Sequence, residues 1–397
     1  MRDDPGVRPS PRSLVPPFAV MEVLDAVQRR RDRGLEVFSL CAGEPSGGAP
    51  TDVRERAAAL LTAGDPLGYT PALGLPELRR AIAGHYGRWY DLDVDPDRVA
   101  VTTGSSGAFV LAFLAAFSPG DRVALARPGY PAYRNILRAL GCDVVELPAG
   151  PDERYQPTPA LLDAAVADGG PIHGLVLASP ANPTGTMVDP GELAALSDWC
   201  AEHDAVLVSD EIYHGITAGT RDQACAWTHD DRAIVVSSFS KYWGMTGWRL
   251  GWALLPGPLV GAVDALAGNL ALCPPTPAQH AAVAAFTDRS YAECDAAAAR
   301  YRDHRALLLD RLPALGWGAY APADGAFYLY ADVGDAIDRA GCDGSVAWCA
   351  RLLEETGVAL TPGADFDGID GDRWVRLSYA ADGAVLREGL DRIAAWR

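Results

Sequence analysis

Lysine is almost missing from this chain. Of 34 basic residues in 397, only Lys241 carries a side-chain amine, and the other 33 are arginine. Arginine evidently serves for surface charge, so drift toward it accounts for every basic position except this one. A guanidinium stays protonated, whereas a desolvated lysine amine loses its proton and attacks a carbonyl. Chance survival of one lysine on a loop would leave the same count, and the neighbouring sequence has to separate the two readings.

Other absences narrow the field. The net charge of -18 leaves no basic excess for nucleic acid or an anionic membrane. The eight cysteines are scattered without a C-x-x-C pair, so neither a zinc site nor a disulfide framework is suggested. No apolar run is long enough to span a bilayer, and the N-terminus "MRDDPGVRPSPRSLVPP" lacks the apolar centre of a signal peptide. A cytoplasmic protein with reduced thiols is expected, with a proline-rich arm at its start.

Apolar runs bounded by turn residues alternate with longer helical patterns, which predicts an α/β fold with a mostly parallel sheet. The expected strands are 98–103, 122–126, 143–147, 172–178, 205–210, 233–238 and 250–255. From about residue 285 the pattern changes to a long alanine- and arginine-rich helix, a hairpin-like "GAFYLYADV", then helix, strand and terminal helix. The expected organisation is an arm and small-domain segment over 1–45, a large domain over 46–284 and a smaller α+β domain over 285–397.

In open α/β sheets ligands bind beyond the carboxyl ends of the strands. At that edge stand "GSSG" (104–107), "SPANPTG" (179–185), "DEIY" (210–213) and "SSFSK" (237–241). The first opens a helix whose free N–H groups favour a phosphate, although an ordinary serine N-cap looks the same. Asn182 sits in a turn signal and would serve equally as a turn cap. Asp210 ends the run "AVLV", where a carboxylate is costly to bury without a cationic partner such as a protonated ring nitrogen or an arginine. Tyr213 could offer its hydroxyl to the same ligand or simply pack with its tip in water. Arg249 follows Lys241 through two glycines, and its fork suits a phosphate. An imine-forming lysine, an acid for a ring nitrogen and two phosphate devices together describe pyridoxal 5'-phosphate.

With "AGEPSGGAP", "YTPALGLPELRRAIA", "RPGYPAY", "SPANPTG", "SDEIY", "SFSKYWGMTGWRLGW" and "WVRLSYA" in order, the chain resembles the fold-type I pyridoxal-phosphate-dependent aminotransferases of class I/II from about Val15 onward. The resemblance implies a large domain with a mostly parallel mixed sheet, a smaller α+β domain, and ping-pong transfer of an amino group between an α-amino acid and a 2-oxo acid. It implies that Lys241 binds the cofactor aldehyde and moves the Cα proton, and that Asp210 keeps the ring nitrogen protonated. Asn182 and Tyr213 would hydrogen-bond the phenolic oxygen, and Tyr130 would stack on the ring. Ser105, Ser106, Ser238 and Arg249 would hold the phosphate, with Tyr69 reaching in from the other subunit of a homodimer. Arg376 would fork the substrate α-carboxylate, helped by Asn182 and the backbone at Gly43. No metal is implied.

A carbon–sulfur β-lyase, a decarboxylase or a cyclising synthase would share fold and cofactor. A regulator that keeps the fold as a sensor is disfavoured by the short N-terminal arm. Aspartate-type relatives use a second cation for the distal carboxylate, yet no lysine or arginine lies between Leu250 and Asp288 or between Gly104 and Asp121. A neutral or aromatic donor is therefore expected, with its side chain beside residues such as Leu272 and Phe18, unless Arg8 or Arg12 of the arm folds over the site.

Overall fold

The computed structural model describes residues 8–64 and 66–396. The first part of the proline-rich arm, residues 1–7, lies outside them. In chain order the strands are β1 (Phe38–Ser39), β2 (Val99–Thr102), β3 (Arg122–Arg127), β4 (Asp143–Pro148), β5 (Gly174–Ala178) and β6 (Val206–Asp210), then β7 (Ile234–Ser238), β8 (Gly251–Leu254), β9 (Tyr328–Asp332), β10 (Val358–Ala359), β11 (Thr361–Pro362) and β12 (Trp374–Ser378). The helices that matter below are α1 (Ala19–Asp32), α2 (Thr51–Ala63), α3 (Pro76–Tyr90), α4 (Gly104–Ala116) and α5 (Pro131–Leu140).

Seven strands form one sheet in the order β2-β8-β7-β6-β5-β3-β4. Only β8 runs antiparallel to its neighbours in it. Each strand falls within two residues of the apolar run that predicted it, and the inner strands β5, β6, β7 and β8 are buried along nearly their whole length. Alternate side chains go to opposite faces. Val123, Val176, Val208 and Val236 pack on one side with Phe109 and Phe113 of α4. Ala124, Leu175, Leu207 and Val235 pack on the other in the cluster that holds Leu78 and Ile82 of α3.

The stretch 325–333 is not a local hairpin. It supplies one strand, β9, whose full-length partner is β12, joined in register from Trp374↔Asp332 to Ser378↔Tyr328. Its local pairing with the preceding segment is short: the bridge Tyr320↔Ala331, with backbone hydrogen bonds from Gly318 N to the Asp332 carbonyl, from Asp332 N to the Ala319 carbonyl and from Ala321 N to the Tyr330 carbonyl. In this sheet, ordered β11-β12-β9, Arg376 lies at the centre, opposite Thr361 on one side and Tyr330 on the other. The short parallel pair β1–β10 brings residues 38–39 alongside 358–359.

Candidate active site

A cavity of about 350 Å³ opens at the carboxyl end of β6, within the size range of small-molecule sites. Among its lining residues are Lys241, Asp210, Tyr213 and Asn182. Tyr130, Ser105, Ser106 and Arg249 line it as well, as do Gly43 and Arg376. Residues spread over more than 330 positions of sequence thus converge on one space, because each ends or follows a strand or sits on β12.

Asp210 is only 4% exposed, and no cation lies within ion-pair distance of it among the described residues. Its Oδ1 accepts from the Ile212 backbone at 3.1 Å, and its Oδ2 accepts from the Tyr133 hydroxyl. Burial pushes its pKa up to about 6, opposed by these hydrogen bonds and by the nearby Lys241 charge. Lys241 donates from Nζ to the Gly43 carbonyl at 2.6 Å. Desolvation first, and then the Arg376 charge, lower its pKa to about 8, so near that pH half of the amine is free base. The Tyr213 hydroxyl lies 2.7 Å from that of Tyr328.

Arg376 is 4% exposed and has no carboxylate partner in the described chain. Nη1 donates to Asn182 Oδ1 at 2.8 Å, and Nη2 donates to the Cys41 carbonyl at 2.6 Å and to Thr361 Oγ1 at 3.2 Å. Its Nε has no partner, while the rings of Tyr328 and Phe366 lie 4.5 and 4.8 Å from the guanidinium carbon. A buried cation held only by neutral groups strongly favours an anionic ligand.

The start of α4 has the features of an anion subsite. No side chain caps its N-terminus, so its first N–H groups stay free for a ligand. Gly104, at φ 66°, lets the Arg249 guanidinium close over this turn: a Cβ there would meet Nη2 at 2.5 Å. At Gly251 a Cβ would lie 2.8 Å from the Ser105 nitrogen, so β8 packs against the turn only because that position is glycine.

Several of the expected residues lie away from the cavity of this chain. The Ser238 hydroxyl is fully buried against Ser240 Oγ and the Leu250 carbonyl and does not line the cavity; Ser240 does. Ser238 ends β7, and Ser240 in the turn that follows stands between it and the cavity. Leu272 is half-exposed and outside the cavity wall, where Val20 and Leu24 of α1 stand instead. Phe18 is not in the wall either but stacks on Tyr130, ring centroids 6.0 Å apart. Tyr69 is 85% exposed and does not reach the cavity of its own chain. Arg8 and Arg12 are exposed and line no part of the cavity.

Tyr133 is the most consequential of the residues that sequence reasoning missed. Its signal was its place one helical turn after Tyr130 at the start of α5, which turns both rings toward the same side. Tyr328 and Thr246 also line the cavity without having been singled out.

An uncapped helix start beside an arginine, a buried unpaired carboxylate, a lysine of lowered pKa and a buried arginine without an anion fit pyridoxal 5'-phosphate together with an amino-acid carboxylate. Fold and site define a pyridoxal-phosphate-dependent aminotransferase of fold-type I. The chain belongs to the family of class I and II aminotransferases, whose model matches residues 36–393. It is 53% identical over 387 residues to a valine–pyruvate aminotransferase of Mycobacterium tuberculosis, covering 97% of each chain. It is 35% identical over 380 residues to an aspartate/prephenate aminotransferase of Thermus thermophilus, covering 95% of each. A crystal structure of an aminotransferase from Mycobacterium tuberculosis matches with a TM-score of 0.94 at 52% identity, over 98% of this chain and 99% of that one.

Proposed function

We propose that this aminotransferase prefers a neutral, branched aliphatic amino donor of the valine type and a short 2-oxo acid acceptor such as pyruvate. The observation that carries this is the makeup of the cavity wall. Its cations are Lys241, Arg249 and Arg376, and Arg249 lies at the α4 start while Arg376 faces the carboxylate position. Among the described residues no further cation lines the wall for a distal carboxylate, and Val20 and Leu24 offer an apolar surface instead. The similar mycobacterial enzyme named for valine and pyruvate supports the same reading.

Pyridoxal 5'-phosphate, when bound, supplies the aldehyde carbon that receives the amino group and a conjugated ring that takes up electrons as the Cα proton leaves. In this reading Ser105, Ser106, Ser240 and Arg249 hold the phosphate, with Ser238 supporting Ser240 from behind. Asn182 and Tyr213 hydrogen-bond the phenolic oxygen, and Tyr130 covers the ring. Asp210 pairs with the ring nitrogen, and the Tyr133 hydroxyl keeps that carboxylate ionised against its burial. Arg376 forks the donor carboxylate and so fixes the Cα–H bond toward Lys241. With its pKa near 8, the Lys241 amine exists in part as free base at neutral pH and takes and returns the proton at the donor Cα.

The same proposal includes a cytoplasmic homodimer in which Tyr69 completes the partner's phosphate subsite. Its exposure in the single chain is compatible with that. Residues 46–284 would form the cofactor-binding body, with 1–45 and 285–397 as the smaller unit that carries Arg376. Among the described residues no helix is long and apolar enough to cross a membrane.

The test is kcat/KM for a donor panel at saturating pyruvate. Valine should exceed aspartate by tenfold or more, about 1.4 kcal/mol of transition-state preference. Aspartate or glutamate leading by that margin would overturn the reading.

A further inference from the structure

Helix α1 is fastened in two different ways along its length. Its middle is held by apolar packing, where Val27 is buried with Cys41, Leu353 and Ala359. Its start is not. Phe18 occupies the N-cap position and makes no side-chain cap hydrogen bond. The free N–H groups of the first turn are met from far away in the chain, where the Asp365 carboxylate accepts from Ala19 N at 3.1 Å and from Val20 N at 3.4 Å. A carboxylate at a helix N-terminus satisfies orphan donors and matches the helix dipole. This one is 8% exposed.

The turn it fastens is the one that meets the cavity. Val20 and Leu24, four residues apart and hence on one face of α1, line the wall. Asp365 also stands a few residues beyond β11, whose Thr361 accepts a hydrogen bond from Arg376. Arg134 of α5 donates to the carbonyls of Asp365 at 2.7 Å and Phe366 at 3.4 Å, and the Phe366 ring faces the Arg376 guanidinium. One short segment, 361–366, therefore touches the group that faces the donor carboxylate, the helix that faces the donor side chain and the helix that carries Ile136 of the opposite wall.

Resting on the donor reading above, we propose that Asp365 is a positioning residue for substrate selection. It holds the first turn of α1 in register with Arg376, so that Val20 and Leu24 pack on a donor side chain whose carboxylate Arg376 holds. Asp365 touches neither substrate nor cofactor and acts through the helix.

The experiment compares binding and turnover for ligands that differ only in side-chain bulk. The wild-type holoenzyme and Asp365→Ala are titrated with 3-methylbutanoate and with propionate, carboxylates that correspond to valine and alanine without their amines. The Kd for 3-methylbutanoate should rise by about fivefold more than that for propionate, the size of one lost helix cap. The valine-to-alanine ratio of kcat/KM should fall in step. Asp365→Asn keeps one acceptor oxygen and should recover part of the ratio. In a Val20→Ala/Leu24→Ala background, adding Asp365→Ala should change the ratio by less than about twofold, because the side chains it positions are gone.

Equal losses for both carboxylates would mark Asp365 as a general structural cap and overturn the proposal, as would full additivity with the α1 variants. Should Asp365→Ala fail to fold, Asp365→Asn carries the same comparison, and an unchanged ratio in it counts against the proposal. A wild-type preference for aspartate would sink the donor reading and this inference together. A wild-type preference for valine with an unmoved ratio in Asp365→Ala would sink the inference alone.

Discussion

Replacing Arg376 by glutamine tests the carboxylate clamp in a way that separates binding from folding. In the wild type the guanidinium is buried, makes hydrogen bonds to Asn182, Cys41 and Thr361, and leaves Nε unpaired. A hydrogen bond to a charged group contributes about 1.5–3 kcal/mol, and truncating one side of a buried charge pair costs about 2–5 kcal/mol. At about 1.36 kcal/mol per tenfold, Arg376→Gln should lower kcat/KM for valine by roughly 30- to 5,000-fold. The control is isobutylamine, which is valine without its carboxylate. Its slower half-reaction, followed by the cofactor absorbance in single turnover, should change by less than about threefold, because the lost group has nothing to bind. Since the arginine has no carboxylate partner among the described residues, its removal should not destabilise the cofactor-free protein by the amount expected for breaking a buried ion pair, about 3–5 kcal/mol. Equal losses for valine and isobutylamine would refute the argument, since they would show that Arg376 supports the site rather than the substrate.

Two further outcomes follow from the charges in the cavity. Asp210→Asn should still bind the cofactor but slow the proton-transfer half-reaction severely, because an amide cannot balance a ring cation; a wild-type single-turnover rate would reduce Asp210 to a structural group. Lys241 has a folded pKa of about 8 against an ordinary 10.5, so between those values the unfolded chain binds more protons and the Lys241 contribution to stability rises with pH. Lys241→Met should therefore stabilise the cofactor-free protein at pH 7, and thermal melts should show that advantage shrinking between about pH 8 and 10.5; an advantage independent of pH would show that the amine is not desolvated.

Much of this was legible in the sequence because the inner strands of the main sheet are short, buried apolar runs with little else they could be. Lys241 and Asp210 stood out on chemistry alone, one as the single amine and the other as a charge at the end of "AVLV". Arg376 did not, since only the pairing of β12 with β9 and β11 turns it inward, and that pairing joins segments separated by a helical excursion. The side-chain wall was misplaced for a related reason. Val20 and Leu24 look like an ordinary helical repeat near a proline-rich arm, and what sets them over the cavity is a carboxylate 345 residues away. Ser238 and Ser240 touch each other through their hydroxyls at 2.8 Å, and which of the two borders the cavity is set by the turn after β7 rather than by the local sequence.

The central claim is that Lys241 carries the cofactor aldehyde and performs the proton transfer. Borohydride reduction of the holoenzyme, followed by trypsin and mass spectrometry, tests it most directly, because no other lysine competes and cleavage at arginine isolates residues 233–249 as one peptide. A phosphopyridoxyl group should be found on that peptide at Lys241, and both the label and transamination should be lost in Lys241→Arg. A label found on the N-terminal amine instead, or an arginine variant that still transaminates, would contradict it.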